Sequence, residues 1–88
     1  MRVGIAEDVS LLREGISAIL AGAGHEILWA VSDADQLRAR FSEAASAAAE
    51  PDVVVIDVRM PPGNMDDGLR AAVEIRAAHP GVGILVLS

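Results

Sequence analysis

Val53-Val54-Val55-Ile56 is an unbroken β-branched run, and it closes on a carboxylate, Asp57. β-branched side chains favour extended backbone, and a run without polar alternation suits a strand covered on both faces, as in a parallel sheet. On its C-terminal side, Met60-Pro61-Pro62-Gly63-Asn64 cannot continue any regular element and predicts a loop. Asp66 or Asp67 then caps a helix with Leu69, Ala72, Val73 and Ile75 on its apolar face, ending near His79-Pro80-Gly81. Val82 to Leu87 predicts a fourth strand, and Ser88 follows it.

The same alternation runs toward the N-terminus. Pro51 stops a helix that begins after Ser32 and Asp33 and carries the stripe Leu37, Phe41, Ala44, Ala45 and Ala48. Glu26 to Val31 predicts the second strand. Val9, Leu12, Ile16, Ile19, Leu20 and Ala23 recur at helical steps, with Asp8 or Ser10 as the cap and Gly22 and Gly24 as the stop. Val3 to Ala6 is the first strand. Short β-branched runs alternating with longer helical patterns mark βαβ units around a parallel sheet.

Composition bounds the possibilities. Eighty-eight residues make one domain, 1–88, and 52% apolar with 23% charged is globular composition. A net charge of −6 argues against direct binding to nucleic acid by this segment. The basic residues are all arginines (Arg2, Arg13, Arg38, Arg40, Arg59, Arg70, Arg76), with no lysine and no cysteine. The start has no long apolar leader segment, and no apolar run reaches the roughly 18 residues of a membrane span, so a soluble, cytoplasmic protein is expected.

In parallel α/β sheets, ligands bind beyond the carboxyl ends of the strands where the strand order reverses. Here those ends carry Glu7 and Asp8, Asp57, and Ser88. Crowded carboxylates repel unless a cation joins them, and magnesium takes carboxylate oxygens while leaving positions for water and phosphate. Such a pocket suits phosphoryl transfer, with Asp57 as the attacking carboxylate and Glu7 and Asp8 as metal ligands. Each residue alone has a blander reading: Glu7 and Asp8 as a helix start, Asp57 as the beginning of a loop. It is the convergence at strand ends that favours a site. His25 and His79 flank turns and receive no metal or catalytic role. Trp29, Met60 and Met65 are expected to pack.

Ile5-Ala6-Glu7-Asp8, Val55-Ile56-Asp57-Val58-Arg59-Met60-Pro61, Asp67-Gly68 and Leu85-Val86-Leu87-Ser88 together resemble the response-regulator receiver family, most of all receivers that precede a LuxR-type helix-turn-helix domain. The resemblance implies a flavodoxin-like sheet in the order 2-1-3-4, with Asp57 taking phosphate from a sensor histidine kinase. It further implies Mg2+ held by Glu7, Asp8, Asp57 and the backbone carbonyl of Arg59, and Ser88 as the switch hydroxyl. Such a module signals rather than turns over a substrate, beyond self-catalysed phosphotransfer and dephosphorylation.

Receivers usually continue for roughly thirty residues through a last helix, strand and helix, a region that also supplies the family's lysine. Ending at Ser88, Val82 to Leu87 becomes an apolar sheet edge, so homo-oligomerisation through that edge is expected. The competing reading is a phosphorylation-independent dimerisation or interaction module on the same fold. A phosphatase-like hydrolase is disfavoured because Arg59 stands where a second carboxylate is needed. Nucleotide-binding glycine motifs are absent.

Overall fold

A computed structural model of the protein describes residues 1–43, 50–60 and 66–87, and strand and helix alternate along them. The elements are β1 (Arg2–Ala6), α1 (Ser10–Gly22), β2 (Glu26–Val31), α2 (Ala34–Glu43), β3 (Val53–Asp57), α3 (Asp67–Ala78) and β4 (Gly83–Leu87). All strand pairs are parallel, and the order across the sheet is β2-β1-β3-β4. This is the flavodoxin-like order 2-1-3-4 that the resemblance implies. Ala44, Ala45 and Ala48, the stretch from Pro61 to Met65, and Ser88 lie outside the described residues.

The β-branched run explains the layering. Successive strand residues point to opposite faces, so Val54 and Ile56 enter one layer with Leu37, Phe41, Ala71, Ala72 and Ile75 of α2 and α3. Val55 and Val53 face the other way, toward Val3 and Ile5 of β1 and toward Ile16 and Leu20 of α1. On β1, Gly4 has a packing role. Between Val3 and Gly4 the register with β2 shifts by a bulge, which sets Trp29 opposite Gly4. A Cβ added at Gly4 would fall 2.5 Å from the indole carbons. Trp29 therefore packs as expected, with its ring edge-on to Phe41 at 6.0 Å between centroids.

Two helix faces differ from the sequence expectation. None of the α1 residues is fully buried, and Leu12 and Ile19 are 49% and 73% exposed, so the six-residue stripe reduces to Ile16 and Leu20. The sheet face beneath α1 carries Val3, Ile5 and Val55 buried and Ile27, Val53 and Leu87 partly buried, and Ile16 and Leu20 are the α1 side chains packed on it among the described residues. In α3 the buried set is Gly68, Ala71, Ala72 and Ile75, while Leu69 and Val73 point outward. Small side chains at three- and four-residue steps let this helix approach β3 more closely than Leu69 and Val73 could.

Both expected side-chain caps are also missing. Val9 takes the N-cap of α1 and Asp66 that of α3, and neither makes a side-chain cap bond. Asp66 instead pairs with Arg70, Nε to Oδ1 at 3.1 Å. At the start of α2 the expectation holds, since Asp33 Oδ1 accepts the Gln36 N–H at 2.7 Å. β4 pairs with β3 on one side and leaves Leu85 and Val86 55% and 37% exposed.

Candidate functional site

The order β2-β1-β3-β4 reverses direction between β1 and β3, and the carboxyl ends of those two strands form one rim. Glu7 and Asp8 follow β1 directly, and Asp57 is the last residue of β3. One carboxylate oxygen from each of Glu7, Asp8 and Asp57 lies within 4.8 Å of the other two. Those residues were expected to converge, and they do. Among the described residues they are the group of acidic and histidine side chains close enough to share an ion.

Glu7 is buried, only 2% exposed, which a strand-end acid in sequence does not announce. Its N–H extends the sheet by donating to the Val31 carbonyl at 3.0 Å. Its Oε1 accepts the Val9 N–H at 3.2 Å. Burial pushes the Glu7 carboxyl above its ordinary pKa; the Val9 N–H partly opposes this, and the Asp57 charge together with hydrogen bonds to Asp8 and Asp57 adds to it.

A raised folded-state pKa means the folded chain keeps this proton to higher pH than the unfolded chain. The Glu7 contribution to metal-free stability is therefore complete below the unfolded value of about 4.3 and is lost as pH rises through the folded value. Glu7→Gln is expected to flatten that part of the profile and to leave the metal-free protein more stable than wild type at neutral pH. Urea unfolding in chelator across this window measures both, and parallel profiles for the two proteins would refute the assignment.

The carboxyl end of β3 is pinned on two sides. The Val58 N–H donates to the Leu87 carbonyl of β4 at 2.9 Å, and the Gly68 N–H donates to the Val58 carbonyl at 3.0 Å. The Arg59 N–H donates to Asp57 Oδ1 at 3.2 Å. Gly68 sits so close that an added Cβ would fall 1.8 Å from the Asp57 carbonyl oxygen. From α1, Arg13 Nη1 donates to the Glu7 carbonyl at 2.9 Å and to the Asp8 carbonyl at 3.5 Å.

Three carboxylates, one of them buried and resisting ionisation, form a donor set that fits a hard divalent cation. Arg59 lies beside them in the chain, and Ser88 falls outside the described residues, next to Leu87, which pairs in register with Asp57.

No role falls to Arg13 from its sequence context, although helical side chains lean toward the N-terminus and so can reach back over the preceding turn. His79, expected to flank a turn with no metal or catalytic role, has its Nδ1 2.5 Å from Glu50 Oε1 and its ring 5.0 Å from Phe41. That pair ties the end of α3 to the segment before β3, and no local pattern links residues 29 positions apart.

The profile of the response regulator receiver domain matches residues 3–88. The chain belongs to the response regulator receiver family. This receiver is 32% identical over 89 residues to the oxygen regulatory protein NreC of Staphylococcus haemolyticus (strain JCSC1435), a match covering all of the chain and 38% of that protein. It thus spans well under half the length of that relative.

Among solved structures, it resembles the isolated receiver domain of RcsB from Salmonella enterica serovar Typhimurium, determined with the phosphomimetic BeF3−, with a TM-score of 0.81 at 23% identity, covering 98% of this chain and 59% of that one. The response regulator PhyR from Brucella abortus gives a TM-score of 0.79 at 21% identity, covering 97% of this receiver and 32% of that chain. At these identities the likeness speaks for the fold. No helix among the described residues is long and apolar enough to cross a membrane.

Proposed function

We propose that this receiver is a phosphoacceptor of a two-component system, in which Asp57 takes a phosphoryl group from a sensor histidine kinase and passes the change to an output, in all a transcription response in the cytoplasm. The observation that carries this reading is the approach of the Glu7, Asp8 and Asp57 oxygens to within 4.8 Å at the switch point. In the step proposed, an Asp57 oxygen attacks phosphorus, the donor's P–N bond breaks, and the leaving imidazole regains a proton from solvent. Glu7, Asp8, Asp57 and the Arg59 carbonyl would hold Mg2+, which supplies neutralisation of charge on the transferring phosphoryl oxygens.

The Arg59 N–H steadies Asp57 Oδ1. Ser88 is proposed as the switch hydroxyl. A net charge of −6 sets this segment apart from the nucleic acid that its output would engage through other residues. The chain acts here as a signalling acceptor, with turnover limited to its own phosphorylation and dephosphorylation.

The test is incubation with a small phosphodonor, with Mg2+ or with chelator, followed by intact mass. One labile phosphoryl addition that requires Mg2+ is expected. Wild-type protein that never gains that mass overturns the reading.

A second reading, self-association along β4, is favoured by the exposure of Leu85 and Val86 on a strand at the sheet margin. Light scattering of the 88-residue chain at about 50 μM, within the range where open sheet edges associate, is expected to show a dimer or larger species. A clean monomer there would remove this partner. A module that only dimerises has no reason to bind Mg2+, so a Mg2+ titration separates it from the phosphoacceptor.

A further inference from the structure

We propose that Arg13 is a positioning residue for the acidic centre, and that through it cation occupancy and the docking of α1 are coupled. The proposal rests on the phosphoacceptor reading above and deepens it.

α1 is weakly held by ordinary packing. It has no fully buried side chain, and only Ile16 and Leu20 reach the layer of Val3, Ile5 and Val55. Its polar attachment is more specific. The partly buried Arg13 guanidinium reaches back across the first turn to the carbonyls of Glu7 and Asp8, at 2.9 and 3.5 Å. Those are the two residues whose carboxylates meet Asp57.

Arg13 is itself fixed from both directions. Its N–H donates to the Val9 carbonyl at 2.8 Å, and its own carbonyl accepts the Ser17 hydroxyl at 2.8 Å. The turn from Glu7 to Val9 is thus clamped by Val31 behind, by Val9 on the Glu7 carboxylate, and by Arg13 above. An arginine over a helix start is ordinarily a solvated surface group. Here its guanidinium goes to main-chain oxygens of the site.

The direction of the effect follows. Two carboxylates borne on a loose turn must lose that freedom when they take hold of an ion, and Arg13 removes the freedom beforehand. Outer groups that orient ligands commonly change metal affinity tenfold or more. Coupling of this kind is reciprocal, so a cation that steadies Glu7 and Asp8 also steadies the Arg13 anchor and with it the start of α1.

The experiment combines Mg2+ calorimetry with hydrogen exchange on the 88-residue chain and its Arg13→Gln and Arg13→Lys forms. Arg13→Gln is expected to bind Mg2+ about tenfold more weakly. Arg13→Lys keeps a cationic donor on one nitrogen, as Nη1 alone serves both carbonyls in the wild type, and should recover most of that loss. In wild type, Mg2+ should slow exchange of the α1 amides several-fold, and this protection should vanish in Arg13→Gln.

A wild type that binds Mg2+ alongside an Arg13→Gln form of equal affinity overturns the proposal while leaving the phosphoacceptor reading intact. A wild type that binds no Mg2+ overturns both. Should Arg13→Gln fail to fold, wild-type exchange decides: no Mg2+ protection of α1 overturns the coupling.

Discussion

Asp57→Asn is expected to abolish phosphoryl gain completely while making the metal-free protein more stable. The amide is isosteric with the carboxylate and keeps an oxygen for the Arg59 N–H, which sits at 3.2 Å in the wild type, so the loop after β3 keeps its shape. What disappears is the nucleophilic carboxylate, one of three carboxyl groups with oxygens within 4.8 Å of one another. The Asp57 charge is among the causes holding the Glu7 carboxyl above its ordinary value, so Glu7 should ionise more readily in the variant. The gain in stability should be about 1 kcal/mol, the order of one close charge pair in a water-like dielectric. Intact mass and urea unfolding in chelator give the two readouts. A phosphoryl group on the variant would move the acceptor elsewhere, and a less stable variant would contradict the crowding.

Gly68→Ala should cost roughly 3 kcal/mol, the upper range of overpacking. The added methyl would fall 1.8 Å from the Asp57 carbonyl oxygen and 2.8 Å from the Val58 carbonyl oxygen, both of them backbone atoms. Neither can swing aside as a side-chain tip could. Relief requires α3 to lift away from β3, which would break the Gly68 N–H bond to the Val58 carbonyl, 3.0 Å long in the wild type. For a domain of this size that loss is a large share of a total near 5–13 kcal/mol, and melting should fall by about 12–24 °C. Circular dichroism melts measure it. A variant within about 0.5 kcal/mol of wild type, inside the scatter of ordinary surface changes, would show that α3 is not seated against β3.

The chain announced its strands and its acidic rim because those follow from local rules. Val53 to Ile56 can be little else than a covered strand, and ligands gather at the carboxyl ends of parallel strands, which placed Glu7, Asp8 and Asp57 together. The burial of Glu7 was not legible, because an acidic pair after a strand reads equally well as a solvated helix start. It depends on β2 extending alongside to Val31.

The helix faces were misread for a related reason. Leu69 and Val73 outweigh Gly68 and Ala71 on any hydrophobicity scale, yet proximity to β3 selects for smallness. The expected caps failed because α1 begins from Val9, whose side chain has no acceptor, and because the Asp66 carboxylate pairs with Arg70.

Trp29 is the chain's one tryptophan, and its indole belongs to the layer shared with Phe41 and α2. Its fluorescence is consequently a one-sided witness to denaturation, alert to the loss of that layer and blind to α1 on the opposite surface. Emission and circular dichroism will trace the same curve only if both surfaces come apart together. Were the ellipticity to decay first, the lightly covered surface would be peeling away while the indole still glowed as native.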